Sequence, residues 1–149
     1  MYNDIIVMVM SFSVPRFTNK YEYELIRLCT VLNHVVVGGT SKLFKNFIEE
    51  YNPSTIICYS DRQFGEGKVF GNIGFEYNNS SKPGYRWANG ITSYNRTKFQ
   101  KHKLSKILKI YDEKLSEKEN MLKNRYKMIW DCGNNVWVYN NKKGGINPP

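Results

Sequence analysis

Along the first half of the chain, apolar residues gather into short runs divided by turn signals. Residues 5–14 (Ile-Ile-Val-Met-Val-Met-Ser-Phe-Ser-Val) are mostly apolar or β-branched and stop at Pro15, which predicts a central strand. A second strand is predicted over 23–31, where Tyr23, Leu25 and Arg27 alternate imperfectly with Glu24, Ile26 and Leu28. The short run Val35-Val36-Val37 leads into Gly38-Gly39-Thr40-Ser41-Lys42. Leu43, Phe44, Phe47, Ile48 and Tyr51 then recur at spacings of three and four, as on one helix face, and Pro53 marks the end. Residues 55–59 read as a buried strand, Ser60-Asp61-Arg62 as a polar turn, and 65–73 as a short helix closed by Gly74. Phe75-Glu76-Tyr77 starts the next strand. The order predicts an α/β core over residues 1–90, a mixed sheet with flanking helices.

The pattern changes after the turn signal Lys82-Pro83-Gly84 and a last core strand over 85–87. Residues 96–109 carry Arg96, Lys98, Lys101, Lys103, Lys106 and Lys109 without one acid, while Leu104, Ile107, Leu108 and Tyr111 form an apolar stripe. One amphipathic basic helix is expected. Ser116 and Glu119 have capping-box spacing and predict a second short helix through Met121 and Leu122. Residues 126–130 and 136–139 flank Asp131-Cys132-Gly133-Asn134-Asn135 and predict a C-terminal hairpin. Residues 91–140 are thus a basic helix and hairpin extension, and 141–149 a disordered tail.

Composition sharpens the contrast between the halves. The 149 residues suffice for one domain with a core, and 41% hydrophobic with 15% aromatic residues excludes a disordered chain. The longest apolar run, residues 5–10, is too short to span a bilayer, so no membrane partner is expected. The net charge of +9 resides in residues 76–149, because residues 1–75 balance seven basic against seven acidic side chains. A neutral core with a basic appendage points to a polyanionic partner, DNA being the commonest, with simple solubility as the alternative. Cys29, Cys58 and Cys132, with His34 and His102, have no zinc-site spacing, so no metal is predicted. The start lacks a signal-peptide pattern, and a reducing cytoplasm is the expected compartment.

Two segments carry candidate chemistry. Gly38, Gly39, Thr40 and Ser41 lie between a valine run and a helix, where backbone N–H groups can hold an anion. The alternative is a tight turn with Thr40 or Ser41 as helix cap. Arg96, Lys98, Lys101, His102, Lys103 and Lys106 form the candidate nucleic-acid surface, with Tyr85, Trp87, Tyr94 and Phe99 as stacking residues. Asp61 with Glu66-Gly67-Lys68 superficially matches an acid followed by Glu-x-Lys, but its spacing predicts a surface loop.

Phe70-Gly71-Asn72-Ile73-Gly74-Phe75 resembles the short helix and closing Gly-Phe of GNAT acyltransferases, and residues 36–41 resemble their pyrophosphate turn. More closely, Ser13–Arg16, Val37–Leu43, Tyr59-Ser60-Asp61-Arg62, Lys82-Pro83-Gly84-Tyr85, residues 99–104, Glu119-Asn120-Met121 and residues 129–134 resemble the C-terminal region of phage Hef-type homing endonucleases. That likeness runs from about residue 5 to 138. It implies a GNAT-like fold truncated at its N-terminus, in a mobile-element protein that binds DNA through its basic half in a host cytoplasm. Cleavage would fall to a separately encoded nuclease domain. The acyltransferase resemblance implies instead an acyl-CoA-dependent N-acyltransferase with acetyl-CoA held at Gly38–Ser41. Phe70 occupies the position of that family's acid tyrosine, leaving Glu24 as base and Tyr59 or another phenol as acid. A third expectation is a homodimer formed over an open sheet edge.

Overall fold

The computed structural model describes residues 5–141 and is mixed α/β with two sheets and few helices. Two compact units make up the chain. The first comprises residues up to Ser81 and from Asn134 onward, and the second is Lys82–Gly133.

In the first unit, β1 (Met8–Ser13), β2 (Tyr23–Thr30), β3 (Thr55–Asp61), β4 (Glu76–Ser80) and β8 (Asn134–Asn140) form one sheet in the order β1-β2-β3-β8-β4. β1 is therefore an edge strand, not the central one its apolar run predicts. Its side chains alternate between half-buried and exposed, as suits a strand with one covered face. β2 and β3 are parallel, joined by α1 (Gly39–Tyr51) as the crossover. Phe44 and Phe47 of α1 join Phe12, Tyr23, Phe75 and Tyr139 in an aromatic core, Phe12 and Phe47 stacking at 3.5 Å between centroids. The helix ends as Pro53 predicts, with Asn52 in the left-handed region donating its N–H to Ile48 O. Val35 and Val37 do not form a strand. They lie in the loop before α1, 92% and 95% exposed. The expected 65–73 helix contracts to α2 (Lys68–Gly71).

The second unit holds β5 (Tyr85–Asn89), β6 (Thr92–Asn95) and β7 (Lys127–Trp130) as an antiparallel sheet in the order β6-β5-β7. The basic segment is two pieces, a 3₁₀ turn (Arg96–Phe99) and α3 (Lys101–Ile107), because Gln100 is extended between them. Helix α4 (Glu117–Lys123) begins with both reciprocal bonds of the Ser116–Glu119 capping box in place. Trp87, Phe99, Leu104, Leu108 and Met121 form this unit's core.

The predicted C-terminal hairpin does not exist. Strand β7 pairs with β5, and β8 pairs with β3 and β4 in the other sheet. Residues 82–90 thus belong with the basic segment and 134–140 with the core. The expected tail lies outside the described residues from 142 onward.

Candidate nucleic-acid interface and inter-strand cleft

The second unit contains 13 Lys and Arg against five Asp and Glu, so eight of the nine excess charges segregate with it. Only one ion pair is formed there among the described residues, Lys123 Nζ to Asp112 Oδ2 at 3.8 Å. The remaining cations keep most of their field for an external partner.

Each predicted basic residue is exposed, but their surroundings differ. Arg96 lies over the Tyr85 ring at 5.7 Å, and Lys98 over Tyr94 at 4.4 Å, both within cation–π range. Lys103 Nζ donates to Thr97 O at 3.1 Å, tying α3 to the preceding turn. Lys101, His102 and Lys106 stand on the outer side of α3, whose Leu104 is fully buried. The aromatics expected to stack on bases are instead structural. Trp87 and Phe99 are buried, and Tyr85 and Tyr94 pack against them. Trp87 Nε1 and Tyr85 Oη both donate to Glu117 Oε1, each at 3.4 Å. This arrangement satisfies the polar ends of one buried and one half-buried ring.

In the first unit the Gly38–Ser41 turn has a packing explanation. Gly38 sits at φ +70° and is the N-cap of α1 without any side-chain cap bond, so neither Thr40 nor Ser41 plays that part. A Cβ on Gly39 would lie 2.6 Å from Met8 Sδ and 2.7 Å from Val36 Cγ1, so the space beside this glycine is filled by protein. Its N–H donates to Val36 O at 3.2 Å.

A different feature of this unit was not legible as a motif. β2 and β3 pair only from Tyr23–Ile56 to Leu25–Cys58 and then part. The parting coincides with a register shift against β1, where Ser11 opposes Arg27 and Phe12 opposes Leu25, leaving Ile26 as the extra residue of a bulge. A bulge bends its strand and raises local twist. The result is a cleft of about 750 Å³ lined by Arg27, Cys29, Tyr59, Asp61, Lys68 and their neighbours. Gly38–Ser41 are not among its lining residues. Beyond the parting, β2 pairs on one side only with β1, and β3 only with β8, so their facing backbone groups have no strand partner.

The acid–base groups that the acyltransferase resemblance points to are constrained. Glu24 accepts three bonds from Arg16, which occupy both of its carboxylate oxygens. Burial, and then Glu24, push the Tyr59 hydroxyl above its ordinary value, which makes it a weaker acid. Burial pushes the Cys58 thiol up to about 12. Glu66 is exposed in a surface loop, paired with Lys68 at 2.9 Å. Among the described residues no three His, Cys, Asp or Glu side chains converge as metal ligands, and no helix is long and apolar enough to cross a membrane.

Comparison with protein-family models, curated proteins and solved structures found no match to this chain.

Proposed function

We propose that this is a DNA-binding protein whose second unit supplies the contact, in line with the resemblance to the C-terminal region of phage Hef-type homing endonucleases. The observation that carries the reading is charge segregation: 13 basic residues against five acidic in one unit, with a single internal ion pair among them. A polyanion that replaces those missing carboxylates releases its counterions, and that release drives association. In this reading a nuclease domain encoded elsewhere supplies strand cleavage, and this chain supplies retention on the duplex.

The test is binding to a labelled DNA duplex across a salt series. The logarithm of affinity should fall steeply and linearly with the logarithm of salt, by about 0.9 per phosphate neutralised. Changing Lys98, Lys101, Lys103 and Lys106 together to Gln should flatten that slope. Absent or salt-independent binding overturns the reading.

The parting of β2 and β3 supports a second reading, an acyl-CoA-type ligand whose extended, amide-bearing arm pairs with the free strand edges. Acetyl-CoA should then raise the melting temperature, by the linkage between ligand binding and folding. No shift at concentrations far above a micromolar affinity removes this alternative.

A further inference from the structure

We propose that duplex DNA seats on the bare face of the β6-β5-β7 sheet, while the lysines of α3 act from the opposite layer as a long-range field. This inference rests on the DNA-binding reading and assigns its surface.

The argument begins with strand alternation. Tyr85, Trp87, Tyr94 and Met128 point to one side, where they pack against Phe99, Leu104, Leu108 and Met121. Successive residues must therefore point to the other side. The register arranges them as two rows across three strands: Asn95, Arg86 and Ile129, then Ser93, Ala88 and Lys127. Five of these six are exposed, and only the short Ala88 is shielded between longer neighbours. Ile129 is 53% exposed at the end of its row, an apolar side chain left in water.

The chemistry of this face is uniform in sign. It carries Arg86 and Lys127 and no carboxylate, and among the described residues neither cation has an acidic partner within 4 Å. The helical layer, by contrast, mixes the lysines of α3 with Glu117 and Glu119 of α4, and α3 contacts α4. A phosphate backbone would meet both signs there.

The set of groups also suits a groove. An arginine can pair with guanine edges, a serine hydroxyl donates or accepts, and isoleucine methyls can pack on the thymine methyl. Two inter-strand spacings of about 4.8 Å give the backbone a width of about 10 Å. That is comparable to a major groove roughly 12 Å wide. Asn95 contributes less, because its Oδ1 already accepts bonds from Thr97 N and Oγ1, both at 3.1 Å.

The experiment measures binding of the full chain to a labelled duplex at low and at near-physiological salt. Three variants are compared with wild type: R86Q/K127Q, Ile129→Glu, and the four-lysine Gln variant of the 96–106 segment. All sheet substitutions fall on exposed side chains, and thermal unfolding checks each fold. R86Q/K127Q and Ile129→Glu are each expected to weaken binding at least tenfold at both salt concentrations. The four-lysine deficit should instead shrink as salt rises, since separated charges are screened beyond about 10 Å at 0.1 M. Folded sheet variants that bind as wild type does, while the four-lysine variant fails, overturn the inference and leave the DNA reading standing. A wild type that binds no duplex overturns both. Binding of wild type to phosphatidylserine vesicles but not to the duplex, lost in R86Q/K127Q, also overturns it and makes this face a lipid surface.

Discussion

Arg16 encloses the buried carboxylate of Glu24, donating from Nε and Nη2 to Oε1 at 3.1 and 2.6 Å and from its own backbone N–H to Oε2 at 2.8 Å. The two sides are unequal: the Glu24 side chain is 1% exposed and that of Arg16 is 55% exposed. The pair raises the Arg16 pKa above its ordinary value, chiefly through the Glu24 hydrogen bonds. Losing the Arg16 guanidinium leaves a buried carboxylate without its counter-charge, held only by the backbone N–H of residue 16, which costs about 3 kcal/mol or more. Arg16→Met should therefore lower unfolding free energy by about that amount in urea titrations. Arg16→Lys should recover only part, since an ammonium cannot form the fork. Equal stability of Arg16→Met and wild type would show that the pair contributes nothing.

The three cysteines should separate by reactivity. Cys29 and Cys132 are exposed, whereas Cys58 is 2% exposed, its thiol pushed up to about 12 by burial and then by Glu24. The thiolate is the reactive form. A disulfide reagent near pH 8 should titrate two thiols in the native protein and the third only after unfolding. Rapid modification of all three would contradict the placement of β3 in the core.

The capping box should make stability depend on acid pH. The Ser116 hydroxyl, followed by its backbone N–H, holds the Glu119 carboxyl below its ordinary value of 4.5. A carboxyl that binds its proton less readily in the folded state adds stability above its unfolded pKa and loses it as pH falls through the folded value. The melting-temperature gap between wild type and Ser116→Ala should thus be largest near neutrality and shrink below about pH 4. A gap that stays constant into strong acid would exclude the charged bond as its source.

Asn120 is fully buried and clamps the loop before α4. Its Oδ1 accepts from Asp112 N at 2.9 Å, and its Nδ2 donates to the carbonyls of Asp112, Leu115 and Ser116. Asn120→Leu removes the side-chain partners of Asp112 N and Leu115 O, at about 1–3 kcal/mol for each group left unsatisfied, while the Asp112 and Ser116 carbonyls keep their bonds from Leu115 N and Asn120 N. The expected result is a loss of about 3 kcal/mol in unfolding free energy. DNA affinity per folded molecule should be unchanged, since Asn120 lies on the helical layer.

Gly67 should tolerate no side chain. It sits at φ +78°, and a Cβ there would collide with Ser60 Oγ and lie 2.7 Å from Trp137 Nε1, which itself donates to Ser60 Oγ at 3.1 Å. Backbone strain and collision act together in Gly67→Ala, for an expected loss of about 2 kcal/mol or more. A neutral effect on thermal stability would mean that the wall of the cleft can yield.

Features set by neighbouring residues are legible in the amino-acid order. The helix over Leu43–Tyr51, its stop before Pro53, the buried run of β3 and the capping box each depend on contacts within a few positions. The split of the basic helix is less legible, because Gln100 carries no strong breaking signal and its extended backbone follows from seating Phe99 and Leu104 in one core. The glycine pair is visible, but its cause is not: Met8, which fills the space beside Gly39, is 31 positions away in the chain.

Composition and periodicity are local properties, and they were enough to specify an apolar α/β core and to confine the positive charge to the second half of the chain. The return of β8 to the first sheet, the edge position of β1 and the parting of β2 and β3 at Ile26 emerge only in three dimensions. So does the set of basic side chains that share a bare face. Strand partners are chosen by hydrogen bonding and side-chain packing between distant segments, and a strand's own alternation says only that one face is covered.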